Sequence, residues 1–369
     1  MLLSLVCGLE GCAVGYYGQA VRGQMEIFSR RQPIQHLIED PETDAALVQK
    51  LRRVQAARRF AVEELGLPDN GSYVAYADLE RPFVVWNVVA ADRFSVEPEQ
   101  WCFVFVGCLS YRGFFREDKA NAFADKLLAQ GKDAYVGGVA AYSTLGVFKD
   151  PVLNTMLNRG ERYVASTIFH ELAHQLVYIK GDSAFNEAFA TVVEEHATVH
   201  WLNWEQHDAE AEAYRGQLTR RDQFSELIEA TRQRLRAIYA EGTEADKQAR
   251  KREAFEELQH QYADLRLHWG GHGDYDRFFA QPLNNAHLAA VATYQKWVPG
   301  MRLKLGQDPG LASLVEWAEA MALLDPDSRR EQLDQLRKRA LDESAIVPPF
   351  GASRRVDRFG LAHEDSVAR

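Results

Sequence analysis

His170, Glu171 and His174 stand in "FHELAHQLVY" as H-E-x-x-H. Residues four apart on a helix share a face, so the two imidazoles can converge on one cation at about 2.0–2.1 Å each. Glu171 sits beside them and can reach a water on the same metal, as the general base of a zinc peptidase does. The continuation "IKGDSAFNEAFA" holds a helix stop at Gly181 and an N-cap candidate in Asp182 or Ser183. A second helix therefore starts at once and runs back antiparallel to the first. At about 1.5 Å per residue, His174 lies roughly 9 Å before that turn and Glu187 roughly 7 Å after it. The two are level across a tight helix pair, which makes Glu187 the candidate third ligand. Two neutral histidines and a carboxylate leave a fourth position open for water, the pattern of a catalytic rather than a structural zinc.

The positioning elements are read from periodicity. Val164, Ile168, Leu172 and Leu176 recur four apart and predict one buried stripe on a helix from Glu161 to about Ile179. "ETDAALVQKLRRVQAARRFAVEELG" (42–66) predicts an amphipathic helix closed by Gly66, followed by a turn in "LPDNGSY". "RPFVVWNVVAA", "WCFVFVGCLSYRGFF" and "DAYVGGVAAYST" are β-branched and aromatic between Gly, Pro and Asp, and predict three strands. A helix over 118–130 separates the last two. Beyond residue 158 almost everything has helical spacing. Strands first and helices afterwards give an α+β class: a small N-terminal sheet on a mostly helical, zincin-like body.

Within that body, residues 205–270 form a charged helical hairpin broken at Gly242. Its seam runs through Phe224, Leu227, Ile228, Thr231, Leu235 and Ile238, then Phe255, Leu258, Tyr262, Leu265 and Trp269. Such an insertion is a scaffold or a lid over the site. The expected organisation is a signal-like segment (1–12), a peptidase core (13–204), the hairpin, a C-terminal helical part of the core (271–345) and a polar tail (346–369).

The 369 residues carry a formal charge of −10, with basic residues scattered among acids. No basic face is left for a nucleic acid. "MLLSLVCGLEGCAVGYY" opens with a short apolar run and reaches Leu9-Glu10-Gly11-Cys12, which resembles a bacterial lipobox with Cys12 as the acylated residue. Glu10 is foreign to that motif, and no Lys or Arg precedes Arg22; a translation start upstream of Met1 would supply the basic segment. The competing reading is a buried N-terminal helix. Cys102 and Cys108 remain as a pair. In a straight strand they would stand about 20 Å apart, beyond the bridging limit of about 7 Å. A disulfide therefore needs a bend, which Gly107 permits; two buried free thiols are the alternative.

"NEAFA" after H-E-L-A-H resembles the N-E-x-F-A of gluzincin aminopeptidases, in which the glutamate binds zinc, although the connector is shorter here. Over residues 12–325 the chain more closely resembles a bacterial family of predicted zinc aminopeptidase lipoproteins, a domain long labelled as of unknown function. The likeness runs through "VGYYGQAVRGQ", "RPFVVWNV", "YVGGVAAYSTLG", "FHELAHQLVY", "FNEAFAT" and "NNAHLAAVATY". It implies a lipid-anchored, periplasm-facing zinc aminopeptidase of the cell envelope, bound to the membrane through Cys12 and acting on peptides.

Further roles then have candidates. A donor for the developing oxyanion is sought among Tyr142, Tyr178 and Tyr294, with Tyr294 favoured for its small-residue helix. In gluzincins an edge strand ahead of the metal helix pairs with the substrate backbone, and Gly137 and Gly138 would admit a peptide there. Glu194, seven after Glu187, is an anchor for a substrate α-ammonium, a partner of a ligand histidine, or a solvated charge. Three functions stay open: an aminopeptidase, an endopeptidase, and a non-catalytic lipoprotein braced by zinc. The intact Glu171 weighs against the last.

Overall fold

The computed structural model describes residues 7–346 apart from 104–106, 142, 145–147 and 309, with side chains from residue 16 onward except 293–295 and 344–346. Tyr142, the side chains of Cys12 and Tyr294, and residues 347–369 of the expected tail therefore lie outside the described residues. The class is α+β, with long helices around small sheets of two or three strands. No described helix is long and apolar enough to cross a membrane.

The strand-rich segment divides into three sheets. In the central one, Val85–Ala91 lies between Arg112–Phe114 and Asp133–Val139, antiparallel to both. Trp86, Val88 and Ala90 pack on Ala120, Ala124 and Leu127 of the helix Glu117–Ala129. Val89 packs on Ala286 and Ala289 of the helix Asn285–Gln295. Burial on both faces explains why this strand reads as a continuous apolar run rather than an alternating one. Among the described residues, Asp133–Val139 has a strand partner on one side only.

"WCFVFVGC" is not one straight strand. Trp101–Phe103 and Gly107–Leu109 pair antiparallel, with Cys102 opposite Cys108, and the two sulfurs are bonded across a Cα separation of 3.8 Å. Gly107 supplies the bend at φ 83°, a region closed to most side chains. The third sheet, Arg31–Pro33, Ala75–Ala77 and Val152–Leu153, is antiparallel on one side and parallel on the other.

The main core joins the helices Ala45–Glu63, Glu161–Ala173 and Ser183–Trp204. Asp44 caps the first by accepting from the Leu47 N–H, and Gly66 at φ 67° follows its end. A second core fills the seam between Asp208–Ala240 and Glu244–His268, where Phe224, Ile228 and Leu235 meet Phe255, Leu258 and Tyr262. A network ties this hairpin to the main core. Arg302 reaches Glu195 at 2.5 and 2.8 Å and Asp222 at 2.5 and 3.0 Å, and Arg221 also pairs with Glu195. The N-terminal helix Cys7–Ser29 is held by Arg81, which grips both oxygens of Glu26, and its Gly23 leaves room for the Phe115 ring.

Candidate active site

Two helices carry the site. Glu161–Ala173 buries Val164, Ile168 and Leu172 and presents His170 and Glu171 to a cavity. It ends well before Ile179. His174 is its C-cap, and the N–H groups of Gln175 and Leu176 turn back to the carbonyls of Leu172 and Ala173. The reason lies in the following helix, Ser183–Trp204. Buried Asn186 takes both backbone groups of Ile179: Oδ1 accepts from its N–H and Nδ2 donates to its carbonyl, each at 2.8 Å. This clamp draws the chain out of the helix and into a turn with Gly181 at φ 84°. Asp182 caps the second helix by accepting from the Phe185 N–H and is itself held by Arg329.

The turn brings the two histidines and Glu187 together. Glu187 Oε2 lies 3.4 Å from His170 Nε2 and 3.9 Å from His174 Nε2. Donor atoms of the three residues all fall within 4.8 Å of one another. Ligands at about 2.0–2.1 Å around a tetrahedral zinc stand about 3.3–3.4 Å apart, so the donor set fits one such ion with a small closing movement. Glu194 faces the other side of His170, its Oε2 at 3.1 Å from Nδ1. That contact supports the reading of Glu194 as a partner of His170.

The charges follow from these contacts. Burial alone would depress His170, but the hydrogen bonds its ring donates to Glu187 and Glu194 hold it well above its ordinary value. Burial would raise Glu187, yet its bond to His170 and the nearby His174 keep it low. His174 is pushed down to about 4, first by burial and then by the neighbouring His170 charge. Burial raises Glu171 to about 7, with His170 opposing and Glu187 and Asp150 adding to the rise, while Ser143 hydrogen-bonds the carboxylate. Asp150 in turn accepts from Ser143 and from the Thr144 N–H and hydroxyl.

These groups share a cavity of about 590 Å³. No described residue of 205–270 lines it. Tyr178 lines the cavity with its ring edge-on to His174, the centroids 6.5 Å apart. Tyr294 lies in the helix Asn285–Gln295. Gly137 and Gly138 do not line the cavity. A Cβ on Gly138 would strike the Phe83 ring at 2.4 Å, and one on Gly137 would meet Tyr135 at 3.1 Å. The space those glycines leave is filled by the chain's own rings, and the edge strand meets the cavity through Val139 and, just beyond it, Ala141.

Three residues had no sequence signal. Tyr111 lines the cavity, and burial together with Glu187, Tyr178 and Glu171 raises its phenol, which keeps it a neutral O–H donor. It sat inside a segment read only as strand. Ser143 is read only as part of the segment "YVGGVAAYSTLG", Asp150 belongs to no motif, and both come to Glu171 only through the fold. No curated protein and no solved structure matches the chain. The family described as "Putative aminopeptidase" matches residues 15–333, and the chain belongs to that family.

Proposed function

We propose that the chain is a zinc-dependent aminopeptidase that removes N-terminal residues from short peptides. The observation that carries this reading is the convergence of His170, His174 and Glu187 beside Glu171 in one cavity. The three converging residues would hold the ion. Zinc bound there supplies a Lewis acid that polarises the scissile carbonyl and acidifies a water. Glu171 takes the proton of the attacking water and returns it to the leaving amine. Ser143, whose single hydroxyl proton can go to Glu171 or to Asp150, sits against the Glu171 carboxyl, and Glu194 orients His170. The hydroxyls of Tyr111 and Tyr178 are the cavity's candidates to donate to the carbonyl oxygen as it gains charge.

The same reading makes the protein a periplasm-facing lipoprotein acylated at Cys12. Support comes from the "LEGC" stretch and from the Cys102–Cys108 bridge, which belongs in an oxidising space.

The test is a release assay on paired free and N-acetylated peptides with wild type and Glu171→Gln. The variant should keep its zinc and lose at least about a hundredfold in turnover. Cleavage of the acetylated set would make the enzyme an endopeptidase. Near-normal hydrolysis by the variant would remove the activity from this site.

A further inference from the structure

Given the peptidase reading above, on which this rests, we infer that the cavity selects a bulky, uncharged apolar residue carrying a free α-amino group. Two properties of the lining lead there. The first is charge. The carboxylates in the wall belong to Glu171, Glu187 and Glu194, and no Lys or Arg lines it among the described residues. Three carboxylates against one dication leave a formal charge of −1. An α-ammonium complements that charge, whereas a substrate α-carboxylate or acidic side chain meets like charge and no cation.

The second property is an apolar wall assembled from three separate parts of the chain. Tyr16 comes from the N-terminal helix, Phe103 and Leu109 from the disulfide-closed hairpin, and Val85, Phe115 and Val139 from the central sheet and its margin. The rings of Tyr16 and Phe103 stack at 5.2 Å, so helix and hairpin form one surface. Gln19 locks the helix onto the sheet by accepting from the Phe115 N–H and donating to the Gly113 carbonyl. The hairpin is also set against the metal-site turn: a Cβ on Gly107 would lie 3.2 Å from the Gly181 Cα. The hairpin therefore packs directly against the turn that precedes Glu187. A cavity of about 590 Å³ has room for a Leu or Phe side chain and the start of a peptide, within the roughly 300–1,000 Å³ of ordinary ligand sites.

The test measures binding and turnover separately. Zinc-loaded Glu171→Gln, whose wall is formally neutral, is titrated with phenylalaninamide, leucinamide and alaninamide to read the side-chain preference. Wild type, which keeps all three carboxylates, is titrated by competitive inhibition with phenylalaninamide, aspartic acid α-amide and free phenylalanine to read the charge preference. Wild type is assayed on peptides with the same N-terminal residues. Phenylalaninamide and leucinamide should bind about 10- to 100-fold tighter than alaninamide, the gain from burying the larger side chain. Aspartic acid α-amide and free phenylalanine should bind more weakly than phenylalaninamide. Phe103→Ala and Leu109→Ala should each cut the Phe-to-Ala ratio about tenfold. Tyr16→Ala tests the same wall from another element should a hairpin variant fail to fold. A ratio below about 3, ratios untouched by all three variants, or no amide binding would each overturn the inference. Selective binding without cleavage of any peptide would sink the peptidase reading and leave the pocket standing. Cleavage without side-chain preference would do the reverse.

Discussion

Removing the Glu194 carboxylate separates two roles that one residue could play. Its Oε2 stands 3.1 Å from His170 Nδ1, with about a fifth of each side chain exposed. A hydrogen bond to a charged group in such a setting is worth about 1.5–3 kcal/mol. Water entering at the vacated position would recover part of that. The remaining loss of about 1.4–2.7 kcal/mol corresponds to a 10- to 100-fold rise in the zinc dissociation constant for Glu194→Ala. Glu194→Gln keeps an acceptor but no charge and should lose less, about 3- to 10-fold. Competition against a chromophoric chelator reads the zinc affinity directly, and KM for a leucine-terminated peptide is measured at saturating zinc. An ammonium anchor would show the opposite pattern, a raised KM with zinc affinity intact. Wild-type zinc affinity in Glu194→Ala would refute the geometric argument.

Glu187→Ala should abolish stoichiometric zinc binding by metal analysis, since two histidines do not close the site; full occupancy would take Glu187 out of the ligand set. Asn186→Ala leaves the buried N–H and carbonyl of Ile179 without their partner and should cost about 2–5 kcal/mol in denaturant unfolding; an unchanged midpoint would mean that the turn holds itself. Burial pushes His287 down to about 4, so between about pH 6.5 and 4 the unfolded chain takes up a proton that the folded chain refuses. Stability of the metal-free protein should therefore be fully present above pH 6.5 and fall towards pH 4, and His287→Gln should flatten that fall. Cys12→Ser, expressed with an upstream leader, should leave the membrane fraction; unaltered sedimentation would remove the anchor.

Local signals were legible where the physics is local. Gly66 and Gly181 end their segments at positive φ. Three of the four predicted stripe residues, Val164, Ile168 and Leu172, are buried on the helix, while Leu176 lies past its end and is partly buried. The α+β order follows from where β-branched runs give way to helical spacing. What escaped depends on partners distant in sequence. Val152–Leu153 pairs with Tyr76–Ala77 across a long interval, and nothing in either dipeptide announces the other. The wall of the cavity draws on a helix whose first residues read as a signal-like segment. Gly137 and Gly138 looked like openings for a substrate, yet a glycine also makes room for a neighbouring ring, and only packing tells the two apart.

The H-E-x-x-H helix shows how a local estimate can reach the right neighbourhood by an incomplete route. Counting rise per residue assumed a helix continuing to Ile179, whereas it ends at Ala173 with His174 as its cap. His174 and Glu187 still meet, because the residue next to Glu187 sets the turn: Asn186 grips both backbone groups of Ile179 and closes the connector to a fixed length. In "FNEAFA" the asparagine and the glutamate thus divide the work, one fixing where the second helix begins and the other pointing into the cavity. That division makes a separable claim. Asn186→Asp keeps the acceptor for the Ile179 N–H but loses the donor to its carbonyl, so it should weaken zinc binding while every ligand remains in place. Zinc affinity equal to wild type in a folded Asn186→Asp protein would show that the two helices align without the clamp.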